Sequence, residues 1–317
     1  MDQLTVKVAK KTREADDVYS FELVSADGQA LPPFSAGAHI DVHIQPGLIR
    51  QYSLCNAPSE AHRYLIAVLR EPASRGGSIA IHDQVREGDA LQISAPRNHF
   101  ELVPATRSLL FAGGIGVTPI LCMAERLAHI DADFQMHYCA RAPERAAFVE
   151  RIKADKFGAR VQLHFDSAPE SKLDLAAALG APAPGVHLYV CGPGGFIDFV
   201  INGAKALGWP TEQLHLEYFA GAVQDTSNDA SFQVKIASSG KLLTVGAEES
   251  IISVLAANGI EVPVSCEQGV CGTCVTRVLD GVPDHRDMYF TDAEKSKNDQ
   301  FTPCCSRSCT KLLVLDL

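Results

Sequence analysis

The sequence predicts a multidomain chain: an antiparallel β-barrel over residues 1–103, an α/β domain with a parallel sheet over 104–223, a linker at 224–230, and a small α+β module of β-grasp type over 231–317. Three observations predict it. Short alternating apolar and polar runs fill the first third, apolar strand-like runs alternate with helix-like runs in the middle, and six of the ten cysteines gather between 266 and 309. Alternation with a period of two marks strands with one wet face, and strands spaced by helices imply crossover connections.

Within 1–103 the alternation is plain in Leu4-Thr5-Val6-Lys7-Val8, in residues 39–44 and in residues 64–69. Pro32-Pro33, Pro46-Gly47 and Glu87-Gly88-Asp89 supply turns between such runs, the pattern of a barrel or sandwich. From Ser108 the texture changes. Strand-like runs at 108–112, 134–140, 161–165 and 187–191 alternate with helix-like runs at 119–130, 144–156 and 196–207. A polar stretch from Gln224 to Asp229 reads as a linker. Beyond it, strands at 231–236 and 241–245 precede a short helix, for which Glu248-Glu249 favour the N-terminus and Asn258-Gly259 the stop.

With 317 residues, 46% of them hydrophobic, the chain can build a core in each part. A net charge of -10 argues against a nucleic-acid partner, which needs a basic face. No apolar stretch follows a basic cap at the start, and the longest weakly polar run, 109–124, is broken by glycines and Pro119. Neither a secretory signal nor a membrane span is expected, so the expected setting is cytoplasmic, with reduced thiols.

Cys266, Cys271 and Cys274 stand in C-x4-C-x2-C order with further cysteines downstream, which is the spacing of a plant-type [2Fe-2S] cluster. Gly269 and Gly272 allow a tight loop and let amides approach the sulfurs. Zinc would favour two close pairs, and the module has no second C-x-x-C. Cys304, Cys305 and Cys309 compete for the fourth place; Cys304 takes it because Cys304-Cys305-Ser306-Arg307 matches the C-x-S-R pattern of ferredoxin-like domains. Cys55, Cys122, Cys139 and Cys191 read as small buried hydrophobes. His39 and His43 are four apart, but on a strand that is roughly 13 Å, too far for one metal.

Arg50-Gln51-Tyr52-Ser53-Leu54, Arg75-Gly76-Gly77-Ser78, Gly113-Gly114-Ile115-Gly116-Val117-Thr118-Pro119, Cys191-Gly192-Pro193 and the cysteine loop occur in that order. In this the chain resembles the phthalate dioxygenase reductase family along essentially its whole length. The resemblance implies a flavin barrel, a nicotinamide domain and a C-terminal ferredoxin domain, with FMN rather than FAD, NADH rather than NADPH, and a [2Fe-2S] cluster as cofactors. Arg50 would pair with the flavin phosphate, Tyr52 and Leu54 would lie beside the ring, and the Ser53 hydroxyl would hydrogen-bond near the atom that receives hydride. Gly76, Gly77 and Ser78 would cradle the phosphate at a helix start.

The loop Gly113, Gly114, Gly116, Val117, Thr118 and Pro119, at the carboxyl end of a parallel strand, would receive the dinucleotide. Cys191, Gly192 and Pro193 would face the nicotinamide. Phe219 would cover the flavin until nicotinamide displaces it, with a core phenylalanine as the competing reading. Arg141 stands where ribose selectivity is set, and an arginine there would also tolerate a 2'-phosphate. The implied activity is that of an electron-transfer reductase, running from NADH through FMN and [2Fe-2S] to the terminal oxygenase, a Rieske protein, of an aromatic hydroxylating or O-demethylating system. Ser53 and Phe219 are its candidate catalytic residues and a monomer its expected state. A cytochrome P450 acceptor, or a ferredoxin carrier with a vestigial flavin site, are the alternatives.

Overall fold

The computed structural model describes residues 3–72, 76–221, 224 and 226–317; Arg75 of the glycine turn and Asp225 of the polar stretch lie outside them. The chain divides into two compact units, Met1–Tyr218 and Phe219–Leu317.

The first unit begins with β1 (Gln3–Ala15), β2 (Val18–Ser25), β3 (Ala38–Gln45), β4 (Leu48–Ser53), β5 (Tyr64–Leu69), α1 (Gly77–Gln84), β6 (Ala90–Ser94) and β7 (Arg97–Asn98). These strands form one antiparallel sheet in the order β4-β3-β6-β1-β2-β5, with β7 on β3. A bridge between Leu54 and Ile66 joins the end of β4 to β5, the two ends of that order, and so closes the barrel. Inward residues of the alternating runs, among them Val6, Val8, Phe21, Ile40, Val42 and Ile66, make its core.

The chain continues through β8 (Arg107–Gly113), α2 (Val117–His129), β9 (Phe134–Ala140), α3 (Val149–Ala154), β10 (Val161–Phe165), α4 (Leu175–Leu179), β11 (Val186–Gly192), α5 (Gly194–Ala206) and β12 (Leu214–Tyr218). Its sheet is parallel, in the order β10-β9-β8-β11-β12, so the chain starts in the middle and winds outward twice. The gap between β8 and β11 is the place where an open parallel sheet leaves a crevice at its carboxyl end. One continuous apolar cluster joins barrel residues Val18, Ala36, Cys55, Leu65 and Phe100 to Leu110, Val117, Ile120 and Tyr189, which holds the β4 end of the barrel against this crevice.

Two elements differ from expectation. The helix anticipated over 144–156 is a 3-10 turn, Pro143–Arg145, followed by α3, because Phe148 sits at φ 63, in the left-handed region, and interrupts the helix. The strand anticipated at 213–216 begins one residue later and extends to Tyr218, taking Glu217 into the ladder opposite Cys191.

The second unit holds β13 (Phe232–Ile236), β14 (Leu242–Val245), α6 (Ile251–Ala257), β15 (Thr276–Asp280), β16 (Pro283–Asp284), α7 (Asp292–Lys295), β17 (Gln300–Phe301), β18 (Arg307–Ser308) and β19 (Leu312–Leu315). Its main sheet has the order β14-β13-β19-β15-β17, with β13 and β19 parallel. Ile251, Val254 and Leu255 of α6 close the core against it, which is the grasp of a helix by a mixed sheet. Ser250 caps α6, its hydroxyl accepting from the Ser253 amide at 3.1 Å. Glu249 instead accepts from the Gly246 amide, so the acidic pair lies ahead of the helix rather than in its first turn.

Candidate active site and cluster centre

On the barrel, the Arg50 side chain lies across the start of α1. A Cβ on Gly77 would meet Arg50 Cγ at 2.6 Å and Nε at 2.7 Å, so a side chain there would displace Arg50 from the start of the helix. Gly76, at φ 82, caps that helix without a side chain. A guanidinium and the open amides of a helix N-terminus thus share one cradle, which suits a phosphate on charge and on donor count. The Ser78 hydroxyl accepts from the Glu71 amide at 3.1 Å and ties the turn to the segment after β5. Tyr52 is packed so closely that burial pushes its phenol well above the ordinary range, in spite of Arg50. Leu54 is fully buried in the barrel core, and its amide donates to Ala38 at 2.8 Å.

The two glycine loops of the parallel sheet touch. A Cβ on Gly116 would fall on the Cys191 carbonyl and within 2.5 Å of the Gly192 amide; one on Gly113 would meet the Phe196 ring at 2.6 Å. Gly114 takes φ 53, and the Thr118 hydroxyl donates to the Ile115 carbonyl at 3.0 Å, turning the chain into α2. Val117, Thr118 and Pro119 are buried in the first turn of that helix, and Pro193 caps α5. Both helices point their amino ends toward the same crevice mouth, where a pyrophosphate gains from open amides. Gly116→Ala is expected to cost about 1–3 kcal/mol of stability through overpacking and to raise KM for NADH at least tenfold. A thermal melt and steady-state flavin reduction measure the two effects.

The barrel strand and the crevice meet at Glu217. The Ser53 hydroxyl donates to the Glu217 carboxylate, whose own pKa burial pushes up to about 8. Its second oxygen, Oε2, is buried and without a partner, although the residue as a whole keeps some exposure. Cys191, opposite Glu217 in the ladder, is fully buried, and that burial keeps its thiol protonated. Ser53, Cys191 and Glu217 therefore bring a hydroxyl, a neutral thiol and a carboxyl that holds its proton at neutral pH to one place. Glu217 is the residue that sequence reasoning passed over. Its signal was the single carboxylate in the strand Leu214–Tyr218.

Arg141, past the end of β9, is exposed, and its carbonyl accepts from the Ser167 amide at 3.0 Å. Phe219 opens the second unit and is 37% exposed.

In the second unit Cys266, Cys271, Cys274 and Cys304 form a ring of thiols. Cys266 approaches Cys271 and Cys304, and Cys274 approaches Cys304. The Cys266 sulfur also accepts from the Gln268 amide, and the Cys271 sulfur from the Thr273 amide, each at 3.4 Å. Among the described residues no three His, Cys, Asp or Glu side chains gather around a point that would hold one metal ion. Four thiols linked by contacts in one place are a donor set that would fit two irons, each taking two thiolates. Gly269 and Gly272, at φ 71 and 69, are required by the packing as well as the turn: a Cβ on the first would fall on Cys305, and on the second on the Tyr289 ring. Cys305 is turned toward Gly269 and Thr302, and Cys309 is exposed, with its sulfur 3.7 Å from the Pro283 carbonyl.

Residues 234–309 match the 2Fe-2S iron-sulfur cluster binding domain, and residues 95–214 the N-terminal domain of the dimethylamine monooxygenase subunit DmmA-like family. The phthalate dioxygenase reductase of Burkholderia cepacia is 40% identical over 317 residues, covering 99% of this chain and 97% of the relative. A solved phthalate dioxygenase reductase, described as a modular structure for electron transfer from pyridine nucleotides to [2Fe-2S], superposes with a TM-score of 0.80 at 39% identity, covering 99% of this chain and 98% of that one. The chain belongs to the phthalate dioxygenase reductase family.

As a reductase of this family it is an NADH-dependent flavin iron-sulfur oxidoreductase, with FMN and a [2Fe-2S] cluster as its cofactors. The cradle at Arg50 and Gly77 and the ring of four thiols fit those groups. Within the family, the vanillate O-demethylase oxidoreductase of Pseudomonas putida is 58% identical over 312 residues, 98% of each chain. An intact self-sufficient cytochrome P450 monooxygenase also contains a region like this reductase, with a TM-score of 0.85 at 35% identity over 99% of this chain and 41% of that one. No helix among the described residues is long and apolar enough to cross a membrane.

Proposed function

We propose that this reductase feeds electrons to the terminal oxygenase of a vanillate O-demethylating system. The observation that carries the reading is the 58% identity to vanillate O-demethylase oxidoreductase along nearly the full length of both chains. Bound FMN would take two electrons from NADH and release them singly, and the cluster would pass them on one at a time. The chain's own part is to bind, orient and exclude water. Arg50, Gly76, Gly77 and Ser78 hold the flavin phosphate, and Tyr52 walls the ring. Gly113, Gly114, Gly116 and Thr118 seat the dinucleotide, Cys191, Gly192 and Pro193 face the nicotinamide, and Arg141 contacts the adenosine ribose. Ser53 positions the flavin edge through its hydroxyl, Glu217 holds a proton beside it, and Phe219 covers the flavin face when NADH is absent. Cys266, Cys271, Cys274 and Cys304 ligate the cluster. We read the chain as a cytoplasmic monomer, divided at 103, 223 and 230.

The purified protein is expected to be yellow-brown and to reduce cytochrome c with NADH. Combined with a purified vanillate O-demethylase oxygenase it is expected to support NADH-dependent demethylation of vanillate. A colourless protein without releasable flavin after iron-sulfur loading would defeat the electron chain. Intact cytochrome c reduction without oxygenase turnover would defeat only the acceptor. The likeness to the P450 fusion supports a second acceptor, tested by replacing the oxygenase with a cytochrome P450 in the same assay.

A further inference from the structure

The polar stretch 224–230, expected as a linker, is fastened to the cluster-bearing segments through Gln224 and Asp229. The Gln224 side-chain amide donates to the Arg286 carbonyl at 3.2 Å. Asp229 receives both arms of the Arg286 guanidinium, at 2.6 and 3.0 Å, and pairs with Arg307 Nε at 3.3 Å. Gly221 lies so close to the Gln268 carbonyl that a Cβ there would fall on it. These contacts reach the segments that present the thiols. Gln268 lies between Cys266 and Cys271, Arg307 follows Cys304 by three residues, and Arg286 precedes Asp287, whose Cα packs on Gly269 of the cysteine loop.

The charges in this contact are withdrawn from water. The Asp229 side chain is 5% exposed, Arg286 15% and Arg307 10%. Asp284, the other carboxylate on Arg286 at 2.7 Å, is 36% exposed. Arg307 spends its remaining donors on the carbonyls of Ala230, Gly246 and Glu249. Among the described residues Asp229 is thus the one buried carboxylate that both guanidiniums share. Removing its charge leaves two poorly hydrated cations beside the segments of the cluster, which stabilises the more negative, reduced cluster, and it frees the stretch that crosses them.

We propose that Asp229 is a positioning residue for the iron-sulfur centre: its pairing with Arg286 and Arg307 holds residues 226–230 against the segments that carry the cluster, and so sets the cluster's potential and its retention. The proposal rests on the [2Fe-2S] assignment.

The test uses the full-length, flavin- and cluster-loaded protein. Asp229→Asn is expected to raise the midpoint potential, seen as a several-fold higher reduced-to-oxidised ratio at a fixed solution potential by electron paramagnetic resonance. It is also expected to lose iron to a chelator at least threefold faster, while NADH still reduces the flavin at the wild-type rate. Asp229→Glu restores the charge and is expected to recover most of both effects, whereas Asp284→Asn, at the exposed carboxylate, leaves retention unchanged. A folded, loaded Asp229→Asn protein with wild-type potential and iron loss overturns the proposal, as does an Asp229→Glu protein no better than Asp229→Asn. If Asp229→Asn cannot be isolated with its cluster, Arg286→Lys carries the test. It keeps the charge but gives up the two-armed bond, and unchanged iron loss in it overturns the proposal. A wild-type protein with no cluster signal defeats the cluster assignment together with this inference; a loaded wild type with unaltered variants defeats this inference alone.

Discussion

Cys274→Ser is expected to abolish the cluster's paramagnetic resonance signal and to cut NADH-driven cytochrome c reduction by about a hundredfold or more, while NADH still reduces the flavin. The thiol lies beside Cys304 and is 3% exposed. A hydroxyl is a poorer ligand for iron than a thiolate, so the centre is lost rather than weakened. Apart from Phe219, the residues proposed for flavin and nicotinamide belong to the other compact unit, which carries its own cores, so their chemistry is not expected to need the cluster. Loss of flavin reduction in a folded variant would show that the two units do not work as separable modules.

The second large effect is expected at Ser53 and Glu217. Ser53→Ala removes the hydroxyl that the strand end presents beside the Glu217 carboxyl and is expected to slow flavin reduction by about 10²-fold, the usual scale for a positioned proton-handling group. Stopped-flow absorbance of the flavin measures it. The pH dependence follows from the Glu217 pKa of about 8. The folded chain holds this proton from pH 4.5 up to about 8, where the unfolded chain has released it, so stability falls as pH rises through that window and levels off above it. Flavin reduction is expected to decline as pH passes 8. Glu217→Gln, which cannot ionise, is expected to remove both the stability slope and the rate decline. An unchanged rate profile in that variant would show that some other group titrates.

The fold was legible where the local pattern and the tertiary packing agree. Alternation marked the barrel strands because each has one face in a core and one in water, as Val6 and Val8 show against Lys7. The helix over 144–156 was misread because its composition is helical throughout, whereas the left-handed turn at Phe148 is imposed by packing that places Phe148 in the core. The acidic pair Glu248-Glu249 satisfied a propensity rule, yet Ser250 caps the helix and Glu249 serves the preceding turn.

The site divides in the same way. The four proposed ligands and the glycine loops stand out in the sequence because metal ligation and close backbone approach each demand one residue type at fixed spacing. Glu217 was not, since nothing next to it in the chain shows that β12 pairs with β11 or that the barrel brings Ser53 to it. Asp229 was read as part of a polar linker for the same reason: its two arginines lie 57 and 78 residues away, by the differences 286 − 229 and 307 − 229.

By itself, then, the sequence determined the three-part order of the chain and singled out the cysteines and glycine loops proposed for the cluster, flavin and dinucleotide, because those depend on residue type and short spacing. Only the tertiary structure decided that the two glycine loops press on each other, that Ser53, Cys191 and Glu217 share one buried place, and that Asp229 fastens the supposed linker. Those features are contacts between distant segments, and the burial that raises the Glu217 pKa exists only once the sheet and barrel have closed around it.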